Sequence, residues 1–385
     1  MNIGVTAATG FRAAGVAAGL KANGDPDVAV VINDGPTFAA AGVVTGNRIK
    51  AAPVLWTEQV LTSGRLRAVV LNSGGANACT GPAGFADTHQ TAEHLAAAIE
   101  CGAGEVAVCS TGLIGERLPL DKLLAGIDTA VTGLSTAGGA AAADAIRTTD
   151  SVPKTTSVTG SGVTVAGMAK GAGMLAPGLA TMLCVLTTDA VAGPAQLDAA
   201  LREATRTTFD RVDTDGCMST NDTVLLLASG ASGVDADTCE LELLVREACA
   251  DLARQLVADA EGATKEVVIN VIRAKSEDDA VEVGRAVARS SLLKCALFGN
   301  DPNWGRVLAA VGTTQAVFEP DELDVAINDV WVCRAGAAAE DRSLVDMSGR
   351  DVVITVNLNA GEETAVIHTT DLTTAYVHEN SAYSS

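Results

Sequence analysis

The stretch KGAGMLAPGLATMLCVLTTDA, residues 170–190, passes from a loop directly into a strand. Gly171, Gly173, Pro177 and Gly178 deny its first half a regular helix or strand, whereas Met182 to Leu186 form an apolar run that predicts a buried strand. Gly171 to Ala176 also spell Gly-x-Gly-x-x-Ala, the spacing of a dinucleotide-binding loop. Such a loop must open a helix whose N-terminus meets the pyrophosphate, and here a Pro-Gly turn and a strand follow instead. That reading is set aside, and the fold has to be one in which this loop feeds a core strand.

Outward from this point, short β-branched runs recur: DVAVVIND (27–34), RAVVLNSG (67–74), EVAVCSTG (105–112), SGVTVAGMA (161–169), DTVLLLASG (222–230), KEVVINVIRA (265–274), DVVITVNLNA (351–360) and ETAVIHTTD (363–371). Between them, apolar residues spaced by three and four predict helices over 87–100, 196–209, 239–262 and 278–299. Interleaved strands and helices predict an α/β chain, with strands apolar on both faces because each sheet is covered on both sides. At 385 residues the chain suits two domains. The best boundary lies near Ser276, where a strand gives way to an acidic helix start, so we expect a core over 1–280 and a smaller α/β domain over 281–385. GNDPNWGR (299–306) reads as a turn leading into a helix.

Charge narrows the function classes. The formal net charge is −21; residues 1–180 carry 11 basic and 13 acidic side chains, the remainder 15 and 34. Polyanionic nucleic acid would be repelled by that second half, and no Lys/Arg cluster marks a membrane surface. Nine cysteines, odd in number and without a Cys-x-x-Cys pair, suit a reducing compartment, and the N-terminus lacks a basic start followed by a sustained apolar core. These features predict a cytoplasmic protein.

Few residues are equipped for chemistry. The four histidines show no metal-ligand spacing, so neither a metal site nor a histidine triad is expected. A threonine hydroxyl is a poor nucleophile unless a base stands beside it, and the nearest base for Thr181 is its own α-amine, which exists only if the Ala180-Thr181 bond is cut. That amine would titrate near pH ~8, close enough to neutrality to accept the hydroxyl proton. A strand that merely begins with a β-branched residue accounts for Thr181 equally. Lys170 is the sole basic residue between Lys154 and Arg202 and suits a substrate carboxylate; Glu261 suits a ligand amine or a loop salt bridge. Thr111-Gly112 offers a hydroxyl and an unhindered N–H after a strand, the donors an oxyanion needs, although Ser-Thr-Gly is also a common turn.

MAKGAGMLAPGLATMLCVLTTDA (168–190) resembles the self-cleavage segment of the ornithine acetyltransferase (glutamate N-acetyltransferase) family. AAPVLWTEQV, LNSGGANACTG, CSTGLIGERLP, IRTTDSVPK, FDRVDTDGCMSTNDTVLLLASG, DAEGATKEV, FGNDPNWGR and DLTTAYVHENSAYSS extend the likeness over nearly the whole chain. The resemblance implies a layered α/β sandwich of the kind shared with self-processing aminopeptidases. It further implies autocatalytic cleavage between Ala180 and Thr181, with an acetyl group carried on Thr181 from N-acetyl-L-ornithine to L-glutamate in arginine biosynthesis. Thr111 and Gly112 would form the oxyanion hole; Thr148, Lys170, Thr181, Glu261, Asn380 and Ser385 would contact substrate, the last two from the tail. No cofactor is implied, acetyl-coenzyme A stays open as a co-substrate, and the two fragments would assemble as a heterotetramer of two of each. The family's cleavage site often carries a histidine where this chain has Ala176, and its last residue is often threonine where this chain has Ser385. An aminopeptidase or amidase using the same threonine, or a non-catalytic amino-acid-binding relative, are the alternatives.

Overall fold

A computed structural model describes residues 4–176 and 182–382. Ala180, Thr181 and Ser385 therefore lie outside the described residues. Three sheets organise the rest. The first has the order β1-β2-β4-β5, from Phe11–Val16, Val28–Asn33, Ala68–Ser73 and Val106–Thr111. The second runs β3-β9-β8-β7-β6, from Ala39–Val44, Thr223–Ala228, Leu183–Thr188, Val163–Lys170 and Lys154–Gly160. The third runs β13-β12-β11-β14-β10-β15, from Ala337–Ala338, Val330–Arg334, Asp324–Ile327, Asp351–Asn357, Glu266–Ala274 and Glu363–Thr370.

The first two sheets face each other across one apolar core, in which Val30, Val70 and Val108 of the first meet Met168, Val185 and Leu225 of the second. Helices α1 (Ala52–Leu61), α2 (Gly81–Ala98), α3 (Leu120–Thr132) and α4 (Gly139–Ala145) pack around the first sheet. On the far side of the second sheet, α5 (Pro194–Thr207) and α6 (Thr238–Ala258) bury Leu197, Leu201, Leu244 and Leu252. The result is the layered α/β sandwich expected, helices outside and two sheets within. Strands such as β2, β4, β5, β8 and β9 are buried along their whole length because both faces are covered, which is why they read as continuous apolar runs.

The third sheet supports a core of its own with α7 (Glu277–Ala288), α8 (Ser291–Phe298) and α9 (Trp304–Val311), and α10 (Thr374–Ala382) ends the described chain. This packing unit begins with β10 at Glu266. The expected division at 280/281 instead runs through α7, which packs on β10 and β15. The strand before the acidic helix start belongs with that helix because each buries the other's apolar face: Val283 and Val287 share a core with Val271 and Ile367. The single helix expected over 278–299 is two helices. Ser290 breaks it because its Oγ accepts from Leu293 N, so the chain recaps and restarts.

Candidate active site

Six of the residues singled out from sequence, Thr111, Gly112, Thr148, Lys170, Glu261 and Asn380, line one cleft. They arrive from distant parts of the chain: the end of β5, the loop before β6, the end of β7, the loop after α6, and α10. Ala180, Thr181 and Ser385 cannot be placed among them, being outside the described residues. The ladder nevertheless fixes where the chain enters β8. Lys170 pairs directly with Leu183, so the strand that follows the Ala180-Thr181 bond begins beside Lys170.

Lys170 is the last residue of β7, only 3% exposed, and donates from Nζ to Thr111 Oγ1 at 3.3 Å. Burial lowers its affinity for a proton, and Asp150 opposes that shift most strongly. Asp150 is the centre of the charged wall. Its Oδ1 accepts from Lys154 Nζ at 2.7 Å and Gly171 N at 2.6 Å, and its Oδ2 accepts from Thr148 N at 3.1 Å. Burial alone would raise the Asp150 carboxyl, but the Lys170 and Lys154 ammoniums and the Gly171 N–H bring it down to about 2. Lys154 reaches a second carboxylate, Asp259, at 2.6 Å, so this buried cation is paired twice.

Glu261 is held from both sides. Thr149 Oγ1 donates to its Oε1 at 2.6 Å and Asn380 Nδ2 to its Oε2 at 3.0 Å. A Cβ on Gly173 would stand 2.5 Å from Glu261 Oε2, so any larger residue there would have to displace the carboxylate. Glu261 also lines a second cavity, of about 230 Å³, together with Asp215, Lys294 and Tyr376. Its lysine is already engaged: Lys294 Nζ donates to Thr369 Oγ1 at 3.1 Å and to Thr370 O at 2.5 Å.

The wall at the end of β5 is backbone. Gly112 has φ +130°, and a Cβ there would fall 2.5 Å from Gly75 N. Gly75 N in turn donates to Thr111 O at 2.9 Å. Asn221 stitches this wall to the second sheet, its Nδ2 donating to Ala76 O at 2.7 Å and Ser110 O at 2.9 Å. The arrangement offers a hydroxyl and a backbone amide at the end of β5, a buried cation beside them, and a carboxylate farther along. Those groups can hold a small zwitterion and polarise a carbonyl.

Asp150, Lys154, Thr149, Asn221 and Asp222 escaped the sequence reading. The i, i+4 spacing of Asp150 and Lys154 was a usable signal, as was the polar run Ser219-Thr220-Asn221-Asp222 directly before a wholly apolar strand. Among the described residues, no group of three or more His, Cys, Asp and Glu stands ready to hold a metal ion, and no helix is long and apolar enough to cross a membrane.

Comparison with known proteins shows the family of the chain. The profile of the ArgJ family matches residues 12–385. The arginine biosynthesis bifunctional protein ArgJ of Streptomyces avermitilis is 67% identical over 381 residues, covering 99% of this chain and 100% of its own. Its counterpart in Thermobifida fusca is 66% identical over 380 residues, covering 99% of each chain. A solved chain of the Mycobacterium tuberculosis ornithine acetyltransferase, complexed with ornithine, is 61% identical and superposes with a TM-score of 0.43, covering 47% of this chain and 97% of that one. On a match spanning nearly its full length, the chain belongs to the ArgJ family.

Proposed function

We propose that the chain transfers acetyl from N-acetyl-L-ornithine to L-glutamate as an enzyme of arginine biosynthesis, with Thr181 as the carrier. The observation that supports this reading is the meeting of Thr111 and Lys170 at 3.3 Å where β8 begins, which puts a hydroxyl and a buried cation beside the start of the strand that follows Thr181 in sequence. Cleavage of the Ala180-Thr181 bond releases an α-amine on Thr181. That amine takes the proton of the Thr181 hydroxyl as the oxygen forms a bond to the acetyl carbon, while Thr111 Oγ1 and Gly112 N–H donate to the developing oxyanion. The acetyl C–N bond then breaks, ornithine leaves with the proton on its nitrogen, and the acetyl group stays on Thr181 as an ester. Glutamate enters, its α-amine attacks the ester, and acetylglutamate departs as the hydroxyl is restored.

Lys170 receives the α-carboxylate common to both amino acids, Glu261 with Asn380 holds the amine-bearing end of ornithine, and Thr148 and Ser385 complete the contacts. The two fragments remain associated because β7 and β8 lie side by side in one sheet, on either side of the cut; two copies of each form the heterotetramer. No cofactor takes part. The name "bifunctional" borne by the relatives fits acetyl-coenzyme A as a second donor.

Mass spectrometry of the fragment beginning at Thr181 tests the reading. Acetylornithine should add an acetyl group to it, and glutamate should remove that group as acetylglutamate; acetyl-coenzyme A in place of acetylornithine tests the second donor. Discharge to water alone would replace the transferase with an amidase. A chain that binds acetylornithine but never splits or acetylates would leave only a binding protein.

A further inference from the structure

Gly112 lies between two cross-links from a neighbouring segment: Gly75 N donates to Thr111 O, and Ala76 N to Leu113 O, each at 2.9 Å. The first of these bonds aims the Gly112 amide. A trans peptide holds its C=O and N–H on opposite sides, so the Thr111 carbonyl, once bonded to Gly75, turns the Gly112 N–H away from Gly75. That N–H meets no acceptor among the described residues, and Gly112 lines the cleft. One side chain grips both segments. Asn221, 6% exposed, comes from the loop before β9 in the second sheet and donates through Nδ2 to Ala76 O at 2.7 Å and Ser110 O at 2.9 Å. Ala76 follows Gly75 and Ser110 precedes Thr111, so both anchor points are next to the bond that aims Gly112. The Asn221 Oδ1 accepts from Thr220 Oγ1 at 2.6 Å.

Every polar atom of the Asn221 side chain is thus committed to the protein, although the residue borders the cleft. Contact with a ligand would cost it one of those bonds. We infer that Asn221 is a positioning residue, clamping the segments of Gly75 and Thr111 at the separation from which the Gly112 N–H meets the developing oxyanion. Asparagine suits the task because the two donors on its amide nitrogen bridge two carbonyls, whereas an aspartate has no donor and a serine hydroxyl only one. A second bridge works from within the first sheet: Ser110 Oγ donates to Asn72 Oδ1 at 2.6 Å, and Asn72 Nδ2 to Gly75 O at 3.1 Å. Asn72 joins the two segments to each other, and Asn221 joins them to the sheet that carries Lys170. The amide donor is thereby held in register with the cation across the gap between sheets. Such register matters because a misplacement of about 1 Å can cost about 10²-fold in rate.

This inference rests on the proposed oxyanion role of Gly112, and the two can fail separately. The test measures kcat, KM for acetylornithine and the urea midpoint in wild type, Asn221→Ala and Thr57→Val, with kcat referred to the cleaved fraction found by mass. Thr57 is the control. Its wholly buried hydroxyl donates to Val108 O at 2.7 Å and accepts from Val108 N at 3.0 Å, so its loss weakens β5 away from the bond between Gly75 and Thr111. We expect Asn221→Ala to lose about 10- to 10²-fold in kcat with KM within about threefold, since a mis-aimed donor weakens the transition state and spares the ground state. Thr57→Val should keep kcat within about threefold of wild type even where its midpoint falls as far. Asn221→Ser, still able to donate to one carbonyl, should fall between wild type and Asn221→Ala, and it carries the test by itself if Asn221→Ala does not fold or split. A kcat within about threefold of wild type in these Asn221 variants, or a loss that Thr57→Val matches at an equal fall in midpoint, makes the amide a structural tie and overturns its positioning role. Unchanged turnover in Gly112→Ala, or a wild type that neither splits nor acetylates, fails at the level of the proposed function instead.

Discussion

The two walls of the cleft are built to opposite rules. One is made of backbone: Gly75 and Gly112 approach so closely that a Cβ on Gly112 would meet Gly75 N at 2.5 Å, and none of its groups carries a formal charge. The other presents Lys170 with buried ions behind it, Asp150, Lys154 and Lys170 all being at or below 5% exposure. A wall of amides presents fixed dipoles without desolvating an ion, but only glycine lets the strands come near enough. A wall of ions must instead compensate each charge, or burial would neutralise it. The contrast predicts that damage to the ionic wall shows first in folding, and damage to the backbone wall first in turnover.

The largest effect is expected from Asp150→Ala. It leaves Lys154 and Lys170 with less compensation in the interior, and removing one member of a buried pair costs about 3–5 kcal/mol. The unfolding free energy extrapolated from urea should fall by that amount, through a lower midpoint with an unchanged slope. A loss below 1 kcal/mol would mean that the wall relaxes into solvent. Next comes Gly112→Ala. The positive φ and the clash with Gly75 displace the N–H proposed as an oxyanion donor, and turnover should fall about 10²–10³-fold. Should its urea midpoint drop farther than that of Asp150→Ala, the comparison would be reversed.

Acid sharpens the same distinction by a smaller amount. Asp150 titrates at about 2 when folded and near ~4 when unfolded, so its contribution is complete above the unfolded value and is lost as pH falls through the folded one. Between about pH 4 and 2, roughly 2 kcal/mol of stability should disappear. The loss should be absent in Asp150→Asn, as followed by denaturant titration at each pH. The smallest effect belongs to Glu261→Gln, at the polar end of the cleft. Its partners Thr149 and Asn380 can still reach an amide oxygen, so the loss is one of charge toward an amine. KM for acetylornithine should rise about tenfold with kcat nearly unchanged, as for uniform binding. A fall in kcat with unaltered KM would move Glu261 into the chemistry.

Much of this frame was legible locally. Every apolar or β-branched run read as a strand is one, from β2 to β15, because burial on both faces leaves an unbroken hydrophobic signature. The turn GNDPNWGR does lead into α9, with Asn303 capping it through Arg306 N. Of the strands that escaped notice, β6, β11 and β12 carry β-branched residues in short or polar runs, whereas β1 and β3 are of another composition. FRAAGV and AAAGVV are rich in alanine and glycine, which local preference assigns to no strand. β3 needs that smallness, since a Cβ on Gly42 would stand 2.5 Å from Leu61 of α1 and 2.9 Å from Leu225 of β9. Such a strand exists because of what packs on it, and no window of its own sequence contains that information.

The candidate site divides in the same way. Alternation, helix spacing and the loop-to-strand junction at 170–190 determined the class of fold, and the residue types at Thr111, Gly112, Lys170 and Glu261 determined what chemistry was affordable, since side-chain functional groups are local properties. Tertiary structure decided the partners: Lys170 with Thr111 across 59 positions, Glu261 with Thr149 across 112, and Asp222 with Met182 across 40. It also decided that Asp150 is ionised and that Asp222 is not easily so. A carboxyl group's charge depends on the cations and amides that surround it after burial, and those come from strands whose neighbours are chosen by packing rather than by sequence proximity.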